Sequence, residues 1–172
     1  MLATDKIKTA FERTVKALTL RPTLGQDTRI SKARITNGLT CTIEEGKWTF
    51  TADMPESVGG NAVGPSPGVY GRAALGSCLA IGYMMYASKH GLSINSIEVE
   101  VQADFDDGAL FGTTNDVMPG YTEVRYIIHI ESNEPEEAIL KVLDEGDAHS
   151  PYLDIFRRGQ KCVRKVQITT NK

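Results

Sequence analysis

Apolar and polar positions along the chain change period several times, and each change marks an element. In "DKIKTAFERTVKAL" the residues Ile7, Phe11, Thr14 or Val15, and Leu18 fall on one face, with lysines and Glu12 on the other. That spacing predicts an amphipathic helix over roughly the first 20 residues, with Thr4 as its N-cap. "RPTLG" then breaks it. The period becomes two in "TRISKARIT", "LTCTIEE" and "KWTFTADM", read as strands joined by turns at Asn37-Gly38 and Gly46. Within the second strand Leu39, Cys41 and Ile43 alternate with polar residues, which points Cys41 inward.

"PESVGGNAVGPSPG" is a loop by its glycine and proline content. A long helix from about Val69 to His90 follows, closed by Gly91. It is apolar on nearly every side, so it belongs at the centre of the fold. "SINSIEVEVQADFD" alternates Ile97, Val99, Val101 and Ala103 against Glu98, Glu100 and Gln102, a half-exposed strand, and "YTEVRYIIHIES" is another. "NEPEEAILKVLDEGD" reads as a helix with acids in its first turn. "HSPYLDIFRRG" is a loop or short helical turn, and "KCVRKVQIT" a last strand burying Cys162. Hairpins predominate over βαβ units, so the class is α+β, in one domain over residues 1–172.

Composition narrows the chemistry. With 172 residues, 41% hydrophobic content and a net charge of -3, the chain can bury a core and lacks the basic blocks of a nucleic-acid surface. Neither a signal peptide nor a membrane span is expected, because the N-terminus is charged throughout and the apolar run near residues 73 to 87 is short and glycine-rich. A cytoplasmic protein follows from this reading. The 3 cysteines, Cys41, Cys78 and Cys162, are too few and too scattered for a secreted disulfide framework. No zinc-ligand spacing joins them to His90, His129 or His149, and Asp104, Asp106 and Asp107 lack the order of a calcium loop. No metal and no cofactor is expected.

One stretch carries a family likeness. "SPGVYGRAALGSCLAIGYMMYASKHGLSINSIEVEV", residues 66 to 101, resembles the OsmC/Ohr family (osmotically inducible protein C and organic hydroperoxide resistance protein). It has the proline before the helix, the small-residue run into a cysteine, the long helix and the following strand. Downstream, "AHSPYLDIFRRG" resembles the family's second cysteine motif, in which a histidine lies near Cys-Pro-Tyr. With the Asn-Gly hairpin and "ADMPESVGG", the likeness runs from about residue 30 to the C-terminus and leaves the helix of residues 1–20 as an addition.

The resemblance implies an intertwined homodimer in which long central helices lie against curved antiparallel sheets, with active sites at the interface. It implies a stress or redox-defence role in which the first cysteine attacks an organic hydroperoxide and the second resolves the sulfenic acid as a disulfide. Carried over, Cys78 matches the attacking cysteine. Ser150 stands where the resolving cysteine belongs, and Gly68 where the family has a glutamate. Thr36-Asn37-Gly38 occupies the place of the family's arginine turn, and Arg34, on the same strand face as Thr36, is the substitute.

The residues around Cys78 read differently. Gly71, Ala74, Leu75, Ile81, Gly82 and Met85 share its face, an apolar surface that favours thiol over thiolate. A reactive Cys78 therefore needs an imported cation, for which Arg34, Arg157 and Arg158 are candidates. His149 beside Ser150 is not a hydrolase pair, because adjacent residues of an extended stretch face apart and no orienting acid is evident. Two functions follow: a one-cysteine peroxidase regenerated by an external thiol, or a non-catalytic dimer holding a small hydrophobic molecule near Tyr70, Leu75, Tyr83, Met84 or Met85.

Overall fold

The computed structural model describes residues 3–170. In order along the chain come α1 (Ala3–Leu20), β1 (Lys32–Ile35), β2 (Cys41–Glu45), β3 (Trp48–Ala52) and α2 (Pro67–His90). They are followed by β4 (Ile94–Asp104), α3 (Asp107–Leu110), β5 (Glu123–Ser132), α4 (Glu136–Ala148) and α5 (Pro151–Arg157). The α+β class expected from the hairpin pattern is what the chain adopts.

The central helix α2 starts at Pro67, whose missing N–H costs nothing in a first turn, and stops at Gly91, which takes the left-handed conformation with φ 74°. Its inner stripe is Leu75, Leu79, Tyr83 and Ala87, each four residues from the last and each buried. That stripe meets Ile97, Val99 and Val101 of β4 and Val124, Tyr126 and Ile128 of β5. The two strands pair antiparallel, with Val99 opposite Ile128 and Val101 opposite Tyr126. Their inner face is therefore continuous and apolar. Each fully buried leucine contributes about 1.5–3 kcal/mol relative to exposure. Two glycines permit the close approach. A Cβ on Gly76 would sit 3.3 Å from Val101 Cγ2, and one on Gly146 of α4 would sit 2.6 Å from Tyr83 Cδ1.

The other sheet has the order β1-β2-β3, all antiparallel. Ile35 pairs with Cys41 across the loop holding Asn37 and Gly38, and Glu45 pairs with Trp48 across Gly46. Gly38 and Gly46 both take φ +57°, which glycine adopts without a Cβ penalty. This sheet joins the helical body at the start of α2, where the Tyr70 hydroxyl donates to the Thr51 carbonyl at 2.7 Å. The loop between them is organised by Asp53, which is 2% exposed. Its carboxylate accepts from Met54 N–H at 2.7 Å, Thr40 Oγ1 at 3.0 Å, and the Asn61 and Val63 N–H groups at 3.3 and 3.4 Å. Burial alone would raise this carboxyl, yet those four donors hold it below the usual aspartate range.

α1 lies against α2. Phe11 meets Tyr86 edge-on at 5.5 Å, and the Lys89 ammonium lies over both rings while pairing with Glu145. Between α1 and Met85 runs an apolar groove of about 600 Å³, lined by Ile7, Ala10, Phe11, Val15 and Leu18.

Three expectations are corrected. Thr4 is not a cap, because α1 already includes it. Leu39 lies in the hairpin loop rather than on the strand, and is 39% exposed. The largest correction concerns "KCVRKVQIT". It forms no strand, and Cys162, Val163, Val166 and Ile168 are exposed. Alternation alone does not make a strand; a ladder partner is needed, and this chain offers the segment none among the described residues.

Candidate functional site

Cys78 sits in the middle of α2, half-buried and free. Its Sγ lies 3.6 Å from Ser150 Oγ, so the folded chain joins two residues 72 positions apart. Ser150 is 7% exposed and caps α5, its Oγ accepting from Leu153 N–H at 3.3 Å. Pro151 at the first helical position favours that turn. The "HSPY" segment is thus the start of a short helix docked on α2, with its hydroxyl against the thiol.

A partly buried polar clasp holds these two elements in place. The Asp147 carboxylate, at the end of α4, accepts from Tyr83 Oη and Tyr126 Oη, each at 2.5 Å. Tyr83 belongs to α2, Tyr126 to β5, and Asp147 precedes Ser150 by three residues. Burial and the adjacent carboxylate push the Tyr126 phenol up to about 12 and raise Tyr83 further, with Arg157 pulling both the other way. Both hydroxyls therefore stay protonated as donors at neutral pH. Sequence reading assigned no role to Asp147 or Tyr126 and offered Tyr83 only as a lining residue of a hydrophobic pocket, because their meeting exists only in three dimensions.

His149 behaves as the sequence suggests. It faces away from Ser150, with Nδ1 against the Glu145 carbonyl at 2.8 Å and its ring 5.5 Å from Tyr86. Glu145 is held below its usual range first by Lys89 and then by His90, whose Nε2 lies 2.5 Å away. This cluster joins α1, α2 and α4 rather than serving the thiol.

The remaining candidates are dispersed. Arg158 is committed to Asp154, with Nε at 2.7 Å from the carboxylate. Arg157 lines a cavity with Leu75, Tyr126 and Leu153. Arg34 lies on the fully exposed strand β1 and makes no ion pair or hydrogen bond among the described residues. Among the described residues no cation hydrogen-bonds to Cys78, whose Sγ pairs with Ser150 Oγ. At Gly68 a Cβ would point at Arg72 Nη1, 3.4 Å away. Arg72 instead donates to Tyr121 Oη at 3.3 Å, and that hydroxyl donates to the Gly68 carbonyl at 3.0 Å. Arg72 and the Gly68 carbonyl are thus bridged by the Tyr121 phenol.

The hydrophobic pocket expected around Tyr70, Leu75, Tyr83, Met84 and Met85 is not assembled as such. Leu75 and Tyr83 are each 0% exposed in the core, and Tyr70 is tied to Thr51; Met85 reaches a groove, the one beside α1. Among the described residues no group of His, Cys, Asp and Glu is placed to hold a metal ion. No helix among them is long and apolar enough to cross a membrane.

Solved structures share this architecture. An OsmC-like protein from Mycoplasma pneumoniae superposes with TM-score 0.66 at 17% identity, covering 77% of this chain and 89% of that one. An organic hydroperoxide resistance protein OsmC from Legionella pneumophila gives 0.57 at 19% identity over 76% and 90%, respectively. The organic hydroperoxide resistance protein OhrB of Bacillus subtilis gives 0.51 at 17% identity over 77% and 93%. These identities speak for the fold alone. A search of curated proteins found no match. The family model described as OsmC-like protein matches residues 59–163, a span that holds α2, Cys78, the tyrosine clasp and Ser150, and on that match the chain belongs to the OsmC-like protein family.

Proposed function

We propose that this protein is a thiol-dependent peroxidase that reduces organic hydroperoxides through Cys78. The observation that carries this reading is the 3.6 Å approach of Ser150 Oγ to Cys78 Sγ. It puts the position matched to the family's second cysteine against the first, as a two-cysteine site requires. Organic hydroperoxide resistance proteins among the structural relatives support the same substrate class.

The step balances as follows. The Cys78 thiolate attacks the distal peroxide oxygen, the O–O bond breaks, and the alkoxide takes a proton and leaves as an alcohol. The sulfur becomes a sulfenic acid. A serine hydroxyl forms no disulfide, so an external thiol condenses with the sulfenic acid, releasing water. A second thiol then frees Cys78 by exchange. No metal or cofactor enters this cycle. Arg34, the cation proposed to favour the thiolate, serves it from a second copy in an intertwined homodimer. The uncovered apolar tail supports such a dimer, because Val166 and Ile168 share a face at strand spacing and the segment has no ladder partner among the described residues. In this reading residues 1–172 form one domain, with α1 an addition to the family core.

The test is chemical. Organic hydroperoxide should convert Cys78 to a species trapped by a dimedone-type probe, and Cys78→Ser should abolish both labelling and thiol-dependent turnover. A folded protein whose Cys78 stays unmodified under peroxide sinks the proposal. A second reading, hydrophobic-ligand binding without turnover, is favoured by the groove of about 600 Å³ between α1 and Met85. Saturable quenching or displacement of a fluorescent fatty acid, lost in Met85→Glu, would speak for it.

A further inference from the structure

We infer that Ser150 is a positioning residue that holds the Cys78 sulfur as a hydrogen-bond donor, rather than a vacant resolving position. The inference deepens the peroxidase reading, yet it rests on geometry that stands without it. Ser150 Oγ already accepts the Leu153 N–H at 3.3 Å. Its own proton therefore needs an acceptor, because a buried hydroxyl left unpaired is costly. Ser150 is 7% exposed, and the acceptor in reach among the described residues is Cys78 Sγ at 3.6 Å.

The same count from the sulfur side reaches the same pair. Cys78 lies in mid-helix, where backbone N–H groups are spent on the helix itself. Its neighbours along α2 include Leu75 and Leu79, both buried in the apolar core. Among the described residues no arginine, lysine or histidine hydrogen-bonds to the sulfur. A thiolate at Cys78 thus has one hydrogen-bond donor among the described residues, the Ser150 hydroxyl. The α5 amide that donates to that oxygen polarises the O–H and strengthens its donation to sulfur. The tyrosine clasp fixes the arrangement, since Asp147 ties the end of α4, which leads into Ser150, to Tyr83 of the helix carrying Cys78. A serine here does what a cysteine does not: it stabilises the anionic sulfur without consuming it.

The experiment follows Cys78 alkylation by iodoacetamide against pH, in a Cys41→Ser, Cys162→Ser background. Ser150→Ala should move the alkylation midpoint upward by about one pH unit, the scale of one hydrogen bond to a charged group. Ser150→Thr, which keeps the hydroxyl, should return it to the starting value. Because Ser150 also caps α5, thermal unfolding of both variants is measured alongside. Lower stability in Ser150→Ala with an unmoved midpoint means a capping role only and overturns the inference. An upward shift in Ser150→Ala that Ser150→Thr does not rescue overturns it as well. The assay uses no peroxide, so the two proposals fail separately. A shifted, rescued midpoint with no peroxide labelling keeps Ser150 as donor and removes the peroxidase; labelling with an unmoved midpoint does the reverse.

Discussion

Leu79 on α2 and Trp48 on β3 are both large apolar side chains in regular elements, yet the first is 1% exposed and the second 62%. The contrast extends to their surroundings. Around Leu79, α2 is covered by β4, β5, α4 and α5, and even its polar groups are partnered, as the clasp of Tyr83, Tyr126 and Asp147 demonstrates. Around Trp48, the three-stranded sheet leaves Ile35, Phe50 and Trp48 in the open, and the apolar tail from Val163 to Ile168 is uncovered too. One region spends its hydrophobic surface within the chain. The other keeps it available, and a patch of this kind commonly marks an interface.

The comparison can be broken at its strong end first. Leu79→Ala removes a fully buried side chain and should cost about 2–5 kcal/mol in denaturant unfolding, whereas Trp48→Ala should cost far less in a dissociated chain. Equal losses would show that the sheet is as well packed as the helical core. The weak end is tested by charge. Val166→Asp with Ile168→Asp should shift the sedimenting species from dimer to monomer while helical circular dichroism persists, because both side chains are exposed in the single chain. An unchanged mass places the tail outside any interface.

The boundary between the regions is sharpened by chemistry at the clasped site. Ser150→Cys should form a disulfide with Cys78 after peroxide treatment, seen by peptide mapping, since the two side chains already meet. Wild-type protein should show no Cys78–Cys162 crosslink within one chain. The smallest effect concerns Asp53, which anchors the loop between the two regions. Its folded-state carboxyl lies below the usual range, so its contribution is complete above the unfolded value of about 3.9 and is lost as pH falls through the lower folded value. Asp53→Asn should flatten that acid-side loss, measured as thermal midpoint against pH between about 5 and 2.

Much of this molecule was legible one residue at a time. The bounds of α2, its closure at Gly91, the two hairpins of the first sheet and the inward stripe Ile97, Val99 and Val101 all follow from local periodicity and turn residues. These are short-range properties, set by sterics, hydrogen-bond geometry and the alternation of side chains about the backbone. Cys78 and Ser150 could be named from motif likeness, and His149 could be set aside by its neighbour's direction. What stayed hidden depends on pairing across long separations. Nothing near Asp147 in the chain announces that Tyr83 and Tyr126 will both donate to it, and nothing near Cys162 reveals that its alternating segment lacks a partner strand. Periodicity states which face of an element is apolar, but only the packed chain decides what covers that face. Leu79 found cover within its own chain and Val166 did not, although both had equal claim on hydrophobic burial.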